Sequence, residues 1–97
     1  MLFLAHIRVA PPDWSAEDLN ALREKEKAVA QALQREGVLV ALWREAGQLG
    51  SYSIWKGEDL DDVCRHFARL PFHPYMAGDF AEITRHPNAL AAFPFTD

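Results

Sequence analysis

The chain has 97 residues, 49% of them hydrophobic and 25% charged, with a formal net charge of −4 at pH 7. That length suits one domain with a single modest core, and the balance is globular rather than disordered. The acidic balance offers no basic face for a phosphate backbone and argues against a nucleic-acid partner.

The apolar start Met1–Ala5 is broken at once by His6 and Arg8, too soon for a signal peptide. Leu2–Val9 reads instead as a strand, with Phe3, Ala5, Ile7 and Val9 on a wholly apolar face. Leu2, Leu4, His6 and Arg8 form a mixed one. Pro11 and Pro12 end it, because neither can donate to a ladder. A long helix follows from Glu17 to Glu36, with Ser15 as its cap and Asp18 in a short capping box. Gly37 stops it where a left-handed residue is wanted.

The buried stripe of that helix is Leu19, Leu22, Val29 and Leu33, and its missing member is Glu26. A carboxylate on a core face costs several kcal/mol, roughly, unless it is paired or protonated. Two readings are open. Glu26 snorkels or joins a structural ion pair, or it is an acid/base group whose proton affinity is raised by an apolar pocket.

Val38–Ala46 and Ser51–Trp55 read as two strands joined by the tight turn Gly47–Gly50. A second helix, Leu60–Leu70, carries the stripe Leu60, Val63, Cys64 and Phe67. Acidic residues crowd its start and basic residues its end, as the helix dipole favours. Cys64, the single cysteine, is expected to be a packed thiol in a reducing compartment. Pro71 and Pro74 force a turn, Asp79–His86 reads as a fourth strand, and the tail 88–97 has Leu90, Phe93 and Phe95 without a period.

Strand, helix, strand, strand, helix, strand is the order of an α+β, ferredoxin-like βαββαβ domain over residues 1–97. It predicts a four-stranded antiparallel sheet with both helices on one face. The other face is left half-apolar, which points to a homo-oligomer, with the tail packed on a neighbouring subunit. No stretch can span a membrane, so a soluble, cytoplasmic protein is expected.

Candidate chemistry is sparse. His6, His66, His73 and His86 lack metal-ligand spacing, so no metal is expected, and neither a phosphate loop nor a dinucleotide fingerprint is present. His66 sits near a helix end, where a cation is favourable in any case. His73 is either a surface turn residue or a polar group at a pocket mouth, in a loop that also holds Tyr75. Arg44, beside Trp43, could stack on it, hold Glu26 or bind an anionic substrate, depending on its face of the sheet.

Several stretches together resemble the muconolactone Δ-isomerase family. They are Met1-Leu2-Phe3-Leu4, Glu26-Lys27, Gln34-Arg35-Glu36-Gly37, Leu42-Trp43-Arg44 with Gly47, and Tyr52-Ser53-Ile54. Leu70-Pro71, Pro74-Tyr75-Met76 and Arg85-His86-Pro87 complete the set. The resemblance runs from Met1 to about Asn88. It implies a decameric, cofactor-free isomerase of aromatic catabolism, in the 3-oxoadipate pathway. The substrate it implies is a small anionic lactone, muconolactone, converted to 3-oxoadipate enol-lactone by a proton shift. Glu26 matches the family's helix carboxylate, and Lys27 and Arg44 match positions suited to a substrate carboxylate. Leu49 and Ser51 stand where the family commonly has Tyr and Asn. In the loop, His73 replaces an apolar residue, so Leu49, Ser51, His73 and Tyr75 are candidate substrate contacts. The alternatives are a non-catalytic small-acid-binding or assembly protein of the same fold, a halolactone dehalogenase or a cofactor-free oxygenase.

Overall fold

A central strand, β1 (Leu2–Val9), organises the structure, a computed structural model that describes residues 1–90. It is followed by α1 (Ala16–Arg35), β2 (Leu39–Arg44), β3 (Gly50–Lys56) and α2 (Leu60–Phe67). A 3₁₀ turn (His73–Tyr75) then leads into β4 (Met76–Ile83). The sheet order is β2-β3-β1-β4 with every neighbouring pair antiparallel. β1 and β2 are therefore parallel, with β3 between them, which is the split crossover of a ferredoxin-like α+β fold.

One face of the sheet carries both helices. Phe3, Ala5 and Ile7 of β1 are buried there with Leu33 of α1, Val63 and Phe67 of α2, and Trp55 of β3. The fully buried Ala5 leaves room for large neighbours, and Phe67 stands edge-on to both Trp55 and Phe80 at 5.8 and 5.4 Å. Ser53 is the one buried polar side chain of this core among the described residues, and its Oγ accepts a 2.9 Å bond from the Trp55 indole N–H. Ser53→Ala is expected to leave that N–H without an acceptor. The loss should be about 1–3 kcal/mol, read as a lower urea midpoint at unchanged slope.

Local signals set the helix ends. Ser15 Oγ accepts from the Asp18 N–H at 3.1 Å, and Gly37 takes φ +79° past the end of α1, where its N–H bonds the Gln34 carbonyl. Three expectations are corrected. β4 runs Met76–Ile83 rather than Asp79–His86, because its partner β1 spans only Leu2–Val9 and pairs Leu2 with Ile83 and Val9 with Met76. α2 ends at Phe67 rather than Leu70, the chain tightening through bonds from Arg69 N to His66 O and Leu70 N to Phe67 O before Pro71. Cys64 is exposed, not packed. The eight-residue helix buries Val63 and Phe67, and Leu70 continues that line, so Leu60 and Cys64 lie on its solvent flank.

The opposite face of the sheet is open and partly apolar, as its pattern predicts. Leu4, Trp43 and Tyr52 are 40%, 50% and 40% exposed, whereas Leu2 and Ile54 are buried. Leu90 is exposed, and Phe93 and Phe95 lie outside the described residues. No helix among the described residues is long and apolar enough to cross a membrane.

Candidate active site

Helix α1 crosses the helix-bearing face of the sheet beside the β2–β3 hairpin. Between them lies a cavity of about 590 Å³. Arg23, Glu26, Lys27, Ala30, Gln31 and Gln34 line it from α1, spaced as one helical face requires. The hairpin supplies Leu42, Trp43, Arg44, Leu49, Gly50 and Ser51, and Val9, Pro11, Phe72 and Met76 complete the wall. Gly50 lets the hairpin approach β1, since a Cβ there would sit 2.7 Å from the Ile7 carbonyl oxygen.

Strand register decides the face of Arg44. It pairs with Ser51, and Ser51 pairs with Ile7, a core residue, so Arg44 lies on the helix side of the sheet. Its neighbour Trp43 pairs with Tyr52, which is opposite His6 of the open face.

Glu26 is half-buried, and its Oε1 accepts a 2.9 Å bond from the main-chain N–H of Phe72. Burial raises its carboxyl pKa above the ordinary 4.5, and the Phe72 N–H opposes that rise. Arg23, Lys27 and Arg44 line the same cavity, yet none forms an ion pair with Glu26. Glu26 therefore forms no structural ion pair among the described residues, and its half-buried carboxylate is tied to the Phe72 N–H. Among the described residues Lys27 and Arg44 pair with no carboxylate, and the Arg23 guanidinium is bonded only to Asn20 Oδ1, at 3.2 Å. A protein of net negative charge thus concentrates three cations around one carboxylate, a field that attracts a small anion.

Of the residues singled out in the sequence, the cavity gathers Glu26, Lys27, Arg44, Leu49 and Ser51. His73 and Tyr75 do not line it. The His73 ring meets Phe67 edge-on at 5.1 Å, and Tyr75 packs between Trp14 and Phe72. The lining member of that loop is Phe72, which turns inward and leaves its neighbours other surroundings. Arg23, Gln31 and Gln34 were not expected, although stepping three, four and seven residues along the helix from Glu26 and Lys27 would have found them. His6 lies on the open face, stacked on Tyr52 at 4.5 Å and 3.3 Å from Glu45. Among the described residues no three His, Cys, Asp or Glu side chains converge as a metal site would need.

Fold and cavity define a small ferredoxin-like protein with one half-buried carboxylate among cations, an arrangement chemically able to bind a small anion and exchange a proton. The chain belongs to the muconolactone delta-isomerase family, a family of isomerases, whose family model matches residues 1–89. It is 36% identical over 93 residues to the muconolactone Delta-isomerase of Pseudomonas aeruginosa, covering 95% of this chain and 97% of that one. Its fold is similar to a crystal structure of muconolactone isomerase with a TM-score of 0.83 at 32% identity, over 95% and 97% of the two chains. A dehydrochlorinase of 5-chloro-2-hydroxyhydroquinone from Burkholderia phenoliruptrix shares the fold alone, with a TM-score of 0.61 at 19% identity over 89% and 96% of the chains.

Proposed function

We propose that this isomerase acts on muconolactone, with Glu26 as the group that removes and returns the proton. The observation that carries the reading is the state of Glu26: half-buried, bonded by one N–H, and paired with none of the three cations around it. A buried acceptor for an N–H is provided as well by a neutral amide, without the cost of burying a charge. What a carboxylate adds over that amide, with no cation paired to it, is a site that exchanges a proton.

The substrate is an unsaturated lactone bearing a carboxylate side chain. Its ring hydrogen on the oxygen-bearing carbon is acidic, because the electrons left behind spread through the double bond to the lactone carbonyl. Glu26 takes this proton as a carboxylate and, as the acid so formed, delivers it to the carbon beside the carbonyl. The double bond has then moved by one position, and Glu26 is again ionised. No electrons leave or enter, so the step is redox-neutral. Arg23, Lys27 and Arg44 supply positive charge for the substrate carboxylate and for the charge that develops on the carbonyl oxygen. The cytoplasm and a homo-oligomer, decameric by family resemblance, are the setting proposed for this activity. The open sheet face is the surface such an assembly would cover.

The test is a direct assay of the purified protein on muconolactone, following 3-oxoadipate enol-lactone. The parent is expected to turn it over, and Arg44→Met to raise KM about tenfold, the loss of one charged contact in a partly open site. Absence of turnover on muconolactone by the parent overturns the reading.

A further inference from the structure

Glu26 has two oxygens, and the turn after α2 treats them differently. Oε1 accepts the Phe72 N–H at 2.9 Å. That N–H is held in place from both sides. His73 N bonds Leu70 O at 2.9 Å, Tyr75 N bonds Phe72 O at 2.8 Å, and Ala10 N bonds Tyr75 O at 2.8 Å. Pro71 and Pro74 restrict the backbone on either side, and the Phe72 side chain is buried. The donor therefore points in one direction. Among the described residues no bond engages Oε2.

We propose that the main-chain N–H of Phe72 is a positioning group of the reaction, fixing Oε1 of Glu26 so that Oε2 alone takes up and returns the substrate proton. This rests on the reading of Glu26 as the acid/base. The physical case is a comparison of donors. A guanidinium on Glu26 would occupy both oxygens and hold the charge so firmly that the carboxylate would be a poor base. A neutral N–H occupies one oxygen and offsets only part of the desolvation, leaving a carboxyl that both accepts and releases a proton. Being main chain, the donor has no rotamer, so the geometry needs no reorganisation during the shift.

The experiment replaces the Phe72 amide by an ester, incorporating phenyllactic acid at position 72, which removes the N–H and keeps the ring. The Glu26 carboxyl is followed by carbon NMR across pH, together with the pH dependence of kcat. The midpoint of Glu26 and the acid limb of kcat should both rise by about one pH unit, the size of one hydrogen bond to a charged group. kcat should fall about tenfold, with KM changed little. An unchanged midpoint and an unchanged profile overturn the proposal.

Should the ester chain fail to fold, the unaltered protein gives the answer. The Phe72 amide proton resonance should shift with the same midpoint as the Glu26 carboxyl, and Glu26→Gln should abolish that shift. An amide resonance that does not follow Glu26 overturns the proposal. Failure of the acid/base reading looks different, since Glu26→Gln would then retain turnover whatever the spectra show.

Discussion

Glu26→Gln is expected to lower kcat on muconolactone by about 10²- to 10⁴-fold, the range contributed by a positioned acid/base group. Gln keeps the length of Glu and a carbonyl oxygen to accept the Phe72 N–H, so the turn and the cavity wall persist. What is lost is the site for a proton. Stability should move the opposite way. Burial raises the Glu26 pKa above 4.5, so the folded state binds this proton more tightly than the unfolded chain does. Between 4.5 and the raised value, stability falls as pH rises, and above that window the folded state bears the whole cost of the buried charge. The Gln variant has no such charge. Its Tm should exceed the parent's near neutral pH, and the difference should close as the pH falls below 4.5. Melts at the two extremes, alongside the assay, check both halves. Parental turnover, or a lower Tm at neutral pH, would mean that the carboxylate is structural.

Leu49→Tyr combined with Ser51→Asn is expected to raise kcat/KM on muconolactone by about tenfold. Both residues line the cavity, on the hairpin wall opposite Glu26. The family resemblance gives larger polar groups at both positions, where this chain has an isobutyl group and a short hydroxyl. A hydrogen bond to a substrate oxygen is worth about 1–3 kcal/mol in a dry site. Leu49 is 56% exposed, so water replaces part of any missing contact and the gain belongs at the low end of that range. The same exposure favours a bulkier or more apolar lactone for the parent, whose Leu49 offers surface rather than a donor. Comparing kcat/KM of parent and double variant on muconolactone checks this, and no gain would show that these positions do not set specificity.

Much of the fold was legible along the chain because each element carries its own signals. The alternation of Phe3, Ala5 and Ile7 marks a central strand, and the Ser15 cap and Gly37 stop mark α1 to within a residue. Where elements depend on partners, local residues do not set their limits. β4 takes its limits from the length of β1, which no local residue in 76–83 announces. Cys64 is apolar and correctly spaced for a stripe, but a helix of eight residues has room for one buried line, and Phe67 and Val63 occupy it. The candidate site divides in the same way. Glu26 stood out because a charge interrupts an apolar period, whereas Arg23, Gln31 and Gln34 interrupt nothing on a helix flank that is polar anyway.

The sequence by itself determined the order and type of the elements, the family, and the one carboxylate facing inward, since caps, periods and breaks in a period are local properties. Tertiary structure alone decided the face of Arg44, because orientation on a strand follows from register with Ser51 and Ile7 rather than from neighbours in the chain. It alone brought Phe72 to Glu26, a contact across 46 positions made by a main-chain N–H that every residue type except proline possesses. It also removed His73 and Tyr75 from the cavity, since packing against Phe67 and Trp14 settles where a turn's side chains go. Residue types show what chemistry a position could perform, but which groups meet is set by long-range packing and pairing, and a proton-transfer site consists of such meetings.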